Sequence, residues 1–330
     1  MPLVSIIVPC YNEQTTIRLL LDALYSQDFP RGEMEVIIAD GQSTDRTRAQ
    51  IADFQAQHSD LALCVVENPA RTIPAALNRA IQAAQGEYIV RLDAHSLPRQ
   101  DYVRRCIEAL EANRGENVGG VWEIRAGGQG WIPSAIAVAA SHPIGVGDAR
   151  YRYTLQPGAV DTVPFGAFRR TLIDRIGPFD ETLLTNEDYE FNTRLRLSGS
   201  RIWLDPAIRS AYFARGTLRS LASQYWRYGY WKARMLRRYP ASLRWRQALP
   251  PVFVLSLIMF GVLSIWFPPA RVLLLAELGL YLFILLAVGL QAAWKRKNLT
   301  LLLGVPLAIG VMHLAWGSAF LWSLITHREP

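Results

Sequence analysis

Four short runs rich in β-branched and other apolar residues, at 3–9 (LVSIIVP), 34–40 (MEVIIAD), 61–67 (LALCVVE) and 87–92 (EYIVRL), alternate with stretches at 14–27, 44–58 and 72–85. In those stretches apolar residues recur at helical spacing: Ile17, Leu20, Leu21 and Leu24 in the first, and Ile73, Ala76, Leu77, Ala80 and Ile81 in the third. Continuous apolar runs suit parallel strands buried on both faces. Strand alternating with helix predicts a doubly wound α/β sheet, with a ligand site at the carboxyl ends of the strands.

After residue 115 the pattern loosens. A strand is expected at Val118–Ile124, then a glycine-punctuated stretch (Gly127, Gly128, Gly130) and a Gly-, Arg- and Tyr-rich loop at about 143–162. That loop suits a mobile or ligand-facing segment better than a core, and a helix is expected at about 185–198. Three apolar segments follow: Leu249–Phe267 has 19 residues without a charge, Val272–Trp294 has 23 with one acid, and Leu299–Ile325 has 27 with one His and one Pro. The shortest is about 28 Å long as a helix, close to the ~30 Å hydrocarbon core of a bilayer. All three are expected to span a membrane. Glu277 and His313 within them are expected to be helix-paired or snorkelling groups, with an intramembrane functional role as the other possibility.

Charge divides the chain in the same place. Residues 1–205 carry 20 Arg, no Lys and 26 Asp or Glu, whereas residues 206–330 carry 15 Lys or Arg against only Glu277 and Glu329. An acidic domain with a basic, apolar tail argues against nucleic-acid binding, whose basic face belongs to the folded domain. It fits a tail that meets anionic lipid. Residues 217–246 interleave Arg and Lys with Tyr and Trp, as an interfacial helix does. Ten Lys or Arg between 209 and 246, and Lys295, Arg296 and Lys297 between the last two segments, predict a cytoplasmic catalytic domain and an outside C-terminus. Cys10, Cys64 and Cys106 form no CxxC or Cys/His pattern and are expected to be reduced, buried thiols of the cytosol. The start, MPLVSIIVPCYNE, has no basic n-region and is expected to be a first strand, not a signal peptide.

Four polar constellations fall at expected strand ends or helix starts: VPCYNE (8–13), ADGQSTDRT (39–47), RLDAHS (91–96) and TNEDYE (185–190). Alternate side chains of an extended segment share a face, so Asp93 and His95 can reach one cation. A divalent metal there would neutralise a diphosphate leaving group. Each constellation also has a plain structural reading: Asn12 and Ser43 as helix caps, Asp40-Gly41 as a turn, and Asp-x-His as coincidence. The set in one order is what favours a single pocket.

Together with GAFRRTLIDRIGPFDETLLTNEDYEFNTRLRLSG, these segments resemble glycosyltransferase family 2, with the GT-A fold, over about residues 3–240. The DAH triplet, GVGDARYR (145–152), VDTVPFGAF (160–168) and QYWRYGYWK (224–232) are most similar to the succinoglycan-type exopolysaccharide glucosyltransferases within it. The resemblance implies a nucleotide-sugar donor, usually a uridine diphosphate sugar, and inversion at the anomeric carbon. It assigns Pro9, Tyr11, Glu13 and Asp40 to the uridine, and Arg71 and Asn78 to a donor-lining segment. Asp93 and His95 match the Asp-x-Asp element that holds the metal and the sugar diphosphate. His95 stands where most members have Asp, and imidazole is the softer ligand, so Mn2+ is expected to serve at least as well as Mg2+. Asp188 matches the general base, with Glu187 its neighbour. Gln224-x-x-Arg227-Tyr228 is one residue from the Gln-x-x-Arg-Trp signature of processive synthases; Gln224 and Arg227 are expected to close over the donor or acceptor without implying processivity, with Arg227 helping to stabilise the departing diphosphate.

The expected architecture is therefore a GT-A catalytic domain (1–216), an interfacial amphipathic segment (217–246) and a transmembrane region (247–330) in a bacterial-type inner membrane. The expected activity is transfer of one sugar from a nucleotide diphosphate sugar to a polyprenyl-diphosphate-linked saccharide in exopolysaccharide or cell-surface polysaccharide biosynthesis. Expected partners are the donor, the lipid-linked acceptor, anionic membrane lipids and other polysaccharide-assembly proteins, and no nucleic acid. The alternatives are a polyprenyl-phosphate sugar synthase, a processive polysaccharide synthase and a non-catalytic membrane assembly subunit. With expected spans only after the catalytic domain, a self-contained translocating pore is not expected.

Overall fold

The structure, a computed structural model, describes residues 2–326. Two compact units form, one from Met1–Glu123 and Tyr153–Tyr212 and the other from Ile124–Arg152 and Phe213–Pro330.

The first unit begins β1 (Val4–Cys10), α1 (Ile17–Tyr25), β2 (Met34–Asp40), α2 (Thr47–Gln57), β3 (Ala62–Glu67), α3 (Ile73–Ala83) and β4 (Tyr88–Arg91). These four strands are parallel in the order β3-β2-β1-β4. Every residue of β1 is buried, and α1 lays Ile17, Leu20, Leu21 and Leu24 into the same core. The expected burial of all four strands fails at β3. It is the sheet's edge strand and is largely exposed, so Cys64 is an exposed thiol, whereas Cys10 and Cys106 are buried as expected.

The chain continues through β5 (Leu97–Pro98), α4 (Tyr102–Glu111) and β6 (Asn117–Arg125). It then makes α5 (Trp131–Ala140) and α6 (Pro143–Val146) of the second unit before returning as β7 (Gly158–Val160), β8 (Ala167–Arg169), α7 (Thr171–Ile176), α8 (Glu187–Leu197) and β9 (Ile202–Phe213). The later strands extend the sheet as β4-β8-β6-β9-β5, with β7 on β9; the pairs of β8 with β4 and β6, and of β9 with β5 and β7, are antiparallel. β6 passes β9 so closely at Gly120 that a Cβ there would sit 2.0 Å from the Ile208 carbonyl oxygen.

The second unit contains α9 (Leu218–Arg238), α10 (Trp245–Leu263), α11 (Pro268–Arg296) and α12 (Leu301–Thr326). The last three are long and apolar enough to cross a membrane. Thr217 caps α9 by accepting from the Ser220 amide (3.1 Å), and α9 packs along α12, where a Cβ on Gly229 would meet the Trp316 carbonyl oxygen at 2.3 Å. Pro251 cannot donate to the Gln247 carbonyl one turn earlier. Trp316 Nε1 of α12 donates to that oxygen instead (3.2 Å). Part of the expected loop region, Trp131–Ala140, is instead α5, an apolar helix whose Ala135 faces Gly304 of α12. Within the long helices, Ser256 of α10 donates to Glu277 Oε1 (2.5 Å). His313 Nε2 donates to the Ile144 carbonyl (3.0 Å), which leaves Nδ1 to accept from the Tyr281 hydroxyl (3.0 Å). Glu277 and His313 thus both have side-chain partners within their own unit.

Candidate active site

β1 has parallel neighbours on both sides, because the chain moves outward to β2 and β3 and then crosses back to β4. That switch point leaves a crevice outside the strand ends, where the expected donor residues follow β1, β2 and β4. Pro9 is buried in β1, while Tyr11 just beyond it is 44% exposed. The loops after β1 and β2 are laced together. Asn12 Oδ1 accepts from the Thr44 amide (2.8 Å), the Asn12 amide donates to Ser43 Oγ (2.9 Å), and the Glu13 amide donates to Thr47 Oγ1 (2.8 Å). Asp40 is fully buried beneath them, accepting from Ser43 Oγ (2.6 Å) and Arg48 Nε (2.5 Å). Tyr11 lies against Gly41, and the Arg71 guanidinium stands 5.8 Å from its ring centre.

Glu13 and His95 meet at this edge, with Nδ1 3.1 Å from Oε1. Burial alone would push the Glu13 carboxyl up, but hydrogen bonds from His95 and Thr16 outweigh it and hold it below the usual carboxylate range. Asp93 follows the last residue of β4, Arg91, which sequence reasoning passed over. Arg91 is 2% exposed and binds three carboxylates at once: Nη1 pairs with Asp188 Oδ1, and Nη2 with Glu187 Oε1 (2.9 Å) and Asp93 Oδ1 (3.2 Å). Burial opposes its charge, but Asp93 and Glu187 more than offset that and raise its affinity for the proton. The only signal in the sequence was an arginine closing an apolar run, YIVR. Glu187 and Asp188 sit in the first turn of α8, where a helix favours negative charge.

Asn78 has a different place from the one expected. Its amide is 7% exposed and engaged by protein: Nδ2 donates to the Phe179 carbonyl and to Glu181 Oε1, and Oδ1 accepts from the Phe179 amide, all at 2.9 Å. Gln224 and Arg227 belong to α9 of the second unit. Gln224 is buried and donates to the Tyr228 hydroxyl (3.0 Å), and Arg227 is exposed.

Among the described residues no three His, Cys, Asp or Glu side chains gather as a cation cage. Mg2+ and similar hard cations are commonly held by one or two carboxylates and completed by substrate phosphates. Three carboxylates around one guanidinium also leave a surplus of negative charge here. The Asp93 carboxylate and the His95 imidazole are donor types that such a cation accepts when substrate phosphates complete its shell.

Residues 5–177 match the model of glycosyl transferase family 2, more than half of the chain. The chain belongs to glycosyltransferase family 2. It is 30% identical over 326 residues to the succinoglycan biosynthesis protein ExoA of Rhizobium meliloti (strain 1021), covering 98% of this chain and 96% of that one. It is 29% identical over 270 residues to the dolichyl N-acetyl-alpha-D-glucosaminyl phosphate 3-beta-D-2,3-diacetamido-2,3-dideoxy-beta-D-glucuronosyltransferase of Methanococcus voltae, covering 80% and 83%. Among solved structures, the mannosyltransferase PcManGT of Pyrobaculum calidifontis, in complex with GDP-Man and Mn2+, superposes with a TM-score of 0.61 at 24% identity, over 95% of this chain and 87% of that one. That likeness establishes the fold of this glycosyltransferase: a GT-A-like mixed, mainly parallel sheet followed by three long apolar helices.

Proposed function

We propose that the protein is an inverting, metal-dependent hexosyltransferase. It moves one sugar from a nucleotide diphosphate sugar, UDP-glucose or a close analogue, to a polyprenyl-diphosphate-linked saccharide during cell-surface polysaccharide assembly. The observation that carries this reading is the convergence of Asp93, Glu187 and Asp188 on Arg91. A phosphate-end carboxylate and a base, far apart in sequence, fall within reach of one side chain. Two relatives add support. ExoA is named for succinoglycan biosynthesis, and the Methanococcus voltae enzyme for a glycosyl transfer onto a dolichyl-phosphate sugar.

The exposed face of Tyr11 receives the nucleobase, with Arg71 at its rim and Asp40 fixing the loop beneath. Asp93 and His95 would hold the cation, with Glu13 orienting the imidazole through Nδ1. When bound, the cation neutralises the departing diphosphate. Arg91 engages Asp188 through Oδ1, so Oδ2 takes the proton from the acceptor hydroxyl as that oxygen attacks the anomeric carbon. A positioned base of this kind contributes about 10²–10⁴-fold. Diphosphate leaves without a protonating acid, so one carboxylate base suffices. The basic residues before α10 and the Lys295–Lys297 turn support a cytoplasmic catalytic unit in the inner membrane.

The test is mass analysis of lipid-linked product from the purified full chain, given a panel of nucleotide sugars, membrane lipid extract and bare polyprenyl phosphate. One added hexose on a lipid-linked saccharide, lost in Asp188→Asn, is the expected result. Product on bare polyprenyl phosphate alone rejects this acceptor class, polymer from the donor alone indicates processive synthesis, and transfer that survives Asp188→Asn rejects the base.

A further inference from the structure

We infer that Arg91 is the positioning residue for the base proposed above, and that it is held from behind by one internal water shared with Asn117. The inference rests on the assignment of Asp188 as base. A guanidinium offers five donors in a rigid plane. Two edges of this one are taken by Asp188, Glu187 and Asp93. The third, Nε, is buried with no protein partner.

A second unmet group belongs to Asn117, at the start of β6. Asn117 is 2% exposed, and its Nδ2 donates to Asn192 Oδ1 of α8 (2.7 Å). Its Oδ1, an acceptor, is buried without a partner. Arg91 and Asn117 line one cavity of about 10 Å³, bounded also by Asp188, Gly166 and Asn192. That is room for about one water, and two of the lining residues carry an unmet donor, Arg91 Nε, and an unmet acceptor, Asn117 Oδ1. Gly166 keeps the space open, since a Cβ there would sit 2.1 Å from Asn117 Oδ1. Its carbonyl also accepts from the Arg91 amide (3.1 Å). Asn192 passes the support onward, donating to Thr162 Oγ1 (2.9 Å) and the Val163 carbonyl (3.2 Å). The resulting chain runs from Arg91 through the water, Asn117 and Asn192 to Thr162 and Val163. It fixes the guanidinium plane, and that plane fixes Asp188. A lysine would keep the charge but lose the fork that reaches three carboxylates.

The experiment is steady-state kinetics on the full chain in detergent, with donor stoichiometry and affinity measured by calorimetry so that rates are expressed per competent site. Arg91→Lys is expected to lower kcat about 30- to 100-fold with donor KM within about threefold, as a small misplacement of a catalytic group does. Arg91→Met is expected to fall about tenfold further, and Gly166→Ala, which leaves every charged group in place, to lose about fivefold in kcat at unchanged KM. Arg91→Lys at the wild-type kcat, or Lys and Met variants equal to each other, overturns the inference. If neither Arg91 variant folds, Gly166→Ala decides it, and an unchanged kcat there overturns it. Asp188→Asn separates the two levels: full transfer in that variant removes the base and this inference with it, whereas an inactive Asp188→Asn beside an unimpaired Arg91→Lys leaves the base standing and removes only the role of Arg91.

Discussion

Asn78 closes a two-bond ring on the backbone of Phe179: Nδ2 donates to its carbonyl and Oδ1 accepts from its amide, both at 2.9 Å. The ring ties α3 to the segment that leads into α8, the helix of Glu187 and Asp188. Asn78→Ala strands buried backbone groups, at about 1–3 kcal/mol each. A loss of roughly 2–4 kcal/mol in unfolding free energy is expected, with kcat down about tenfold and donor KM unchanged. Denaturant unfolding beside steady-state kinetics checks it. A raised donor KM at undiminished stability would return Asn78 to the donor-lining role that sequence resemblance implied.

The Glu13–His95 contact leads to a prediction about the metal. Carboxylate partners of a ligating histidine typically matter by about 10- to 100-fold in metal affinity or activity. Here the pair is partly exposed, so about tenfold is expected for Glu13→Gln in apparent Mn2+ affinity. Chelation should abolish transfer, and Mn2+ should restore it. His95→Asp replaces a softer ligand with a hard one and should shift the Mg2+-to-Mn2+ rate ratio upward by about five- to tenfold. Rates in each metal after chelation measure both effects. Full transfer by the chelated protein would remove the metal from the mechanism.

The parallel half of the sheet was legible because its signal is local. Val4–Cys10 is an unbroken apolar strand, and α1 repeats its leucines at helical spacing. β3 misled because an edge strand can carry the same residues as a central one, and only topology decides its burial. α5 went unread because Gly127, Gly128 and Gly130 precede it and no polar face gives it a period; its partner, α12, lies more than 150 residues along the chain. Arg91 was invisible for the same reason. Asp188 and Glu187 are 97 and 96 residues away from it, and a lone arginine after three apolar residues carries no hint of them.

Glu277 provides a test of whether an acid in a helix long and apolar enough to cross a membrane works or merely packs. Ser256 donates to its Oε1, and Gln at this position can accept the same bond. Glu277→Gln is expected to insert, fold and transfer sugar at the wild-type rate within about twofold. Ser256→Ala should cost about 1 kcal/mol, the scale of one interhelical hydrogen bond in a bilayer. Transfer assays and thermal unfolding in the same detergent give the two numbers. A large loss of transfer in a stably folded Glu277→Gln would mean that the carboxylate takes part in function.

His142 precedes α6 and faces Gln291 of α11 (Nε2 to Oε1, 3.5 Å). Burial lowers its proton affinity by more than the hydrogen bond with Gln291 raises it, and the nearby Lys295 lowers it a little further. The folded protein therefore binds a proton here less readily than the unfolded chain, in which the group titrates near about 6.5. Above that pH neither state is protonated, and the full contribution to stability is present. As pH falls through and below it, the unfolded chain takes up the proton first, and stability declines until the folded state also titrates. His142→Gln keeps a polar partner for Gln291 and removes the titration. Unfolding free energies measured from pH 8 to 5 should run parallel for the two proteins at the alkaline end. Below about pH 6.5 the wild type should lose stability relative to the variant. A difference that stays constant across the range, or one that grows in favour of the wild type on acidification, contradicts a histidine kept neutral by burial at this junction.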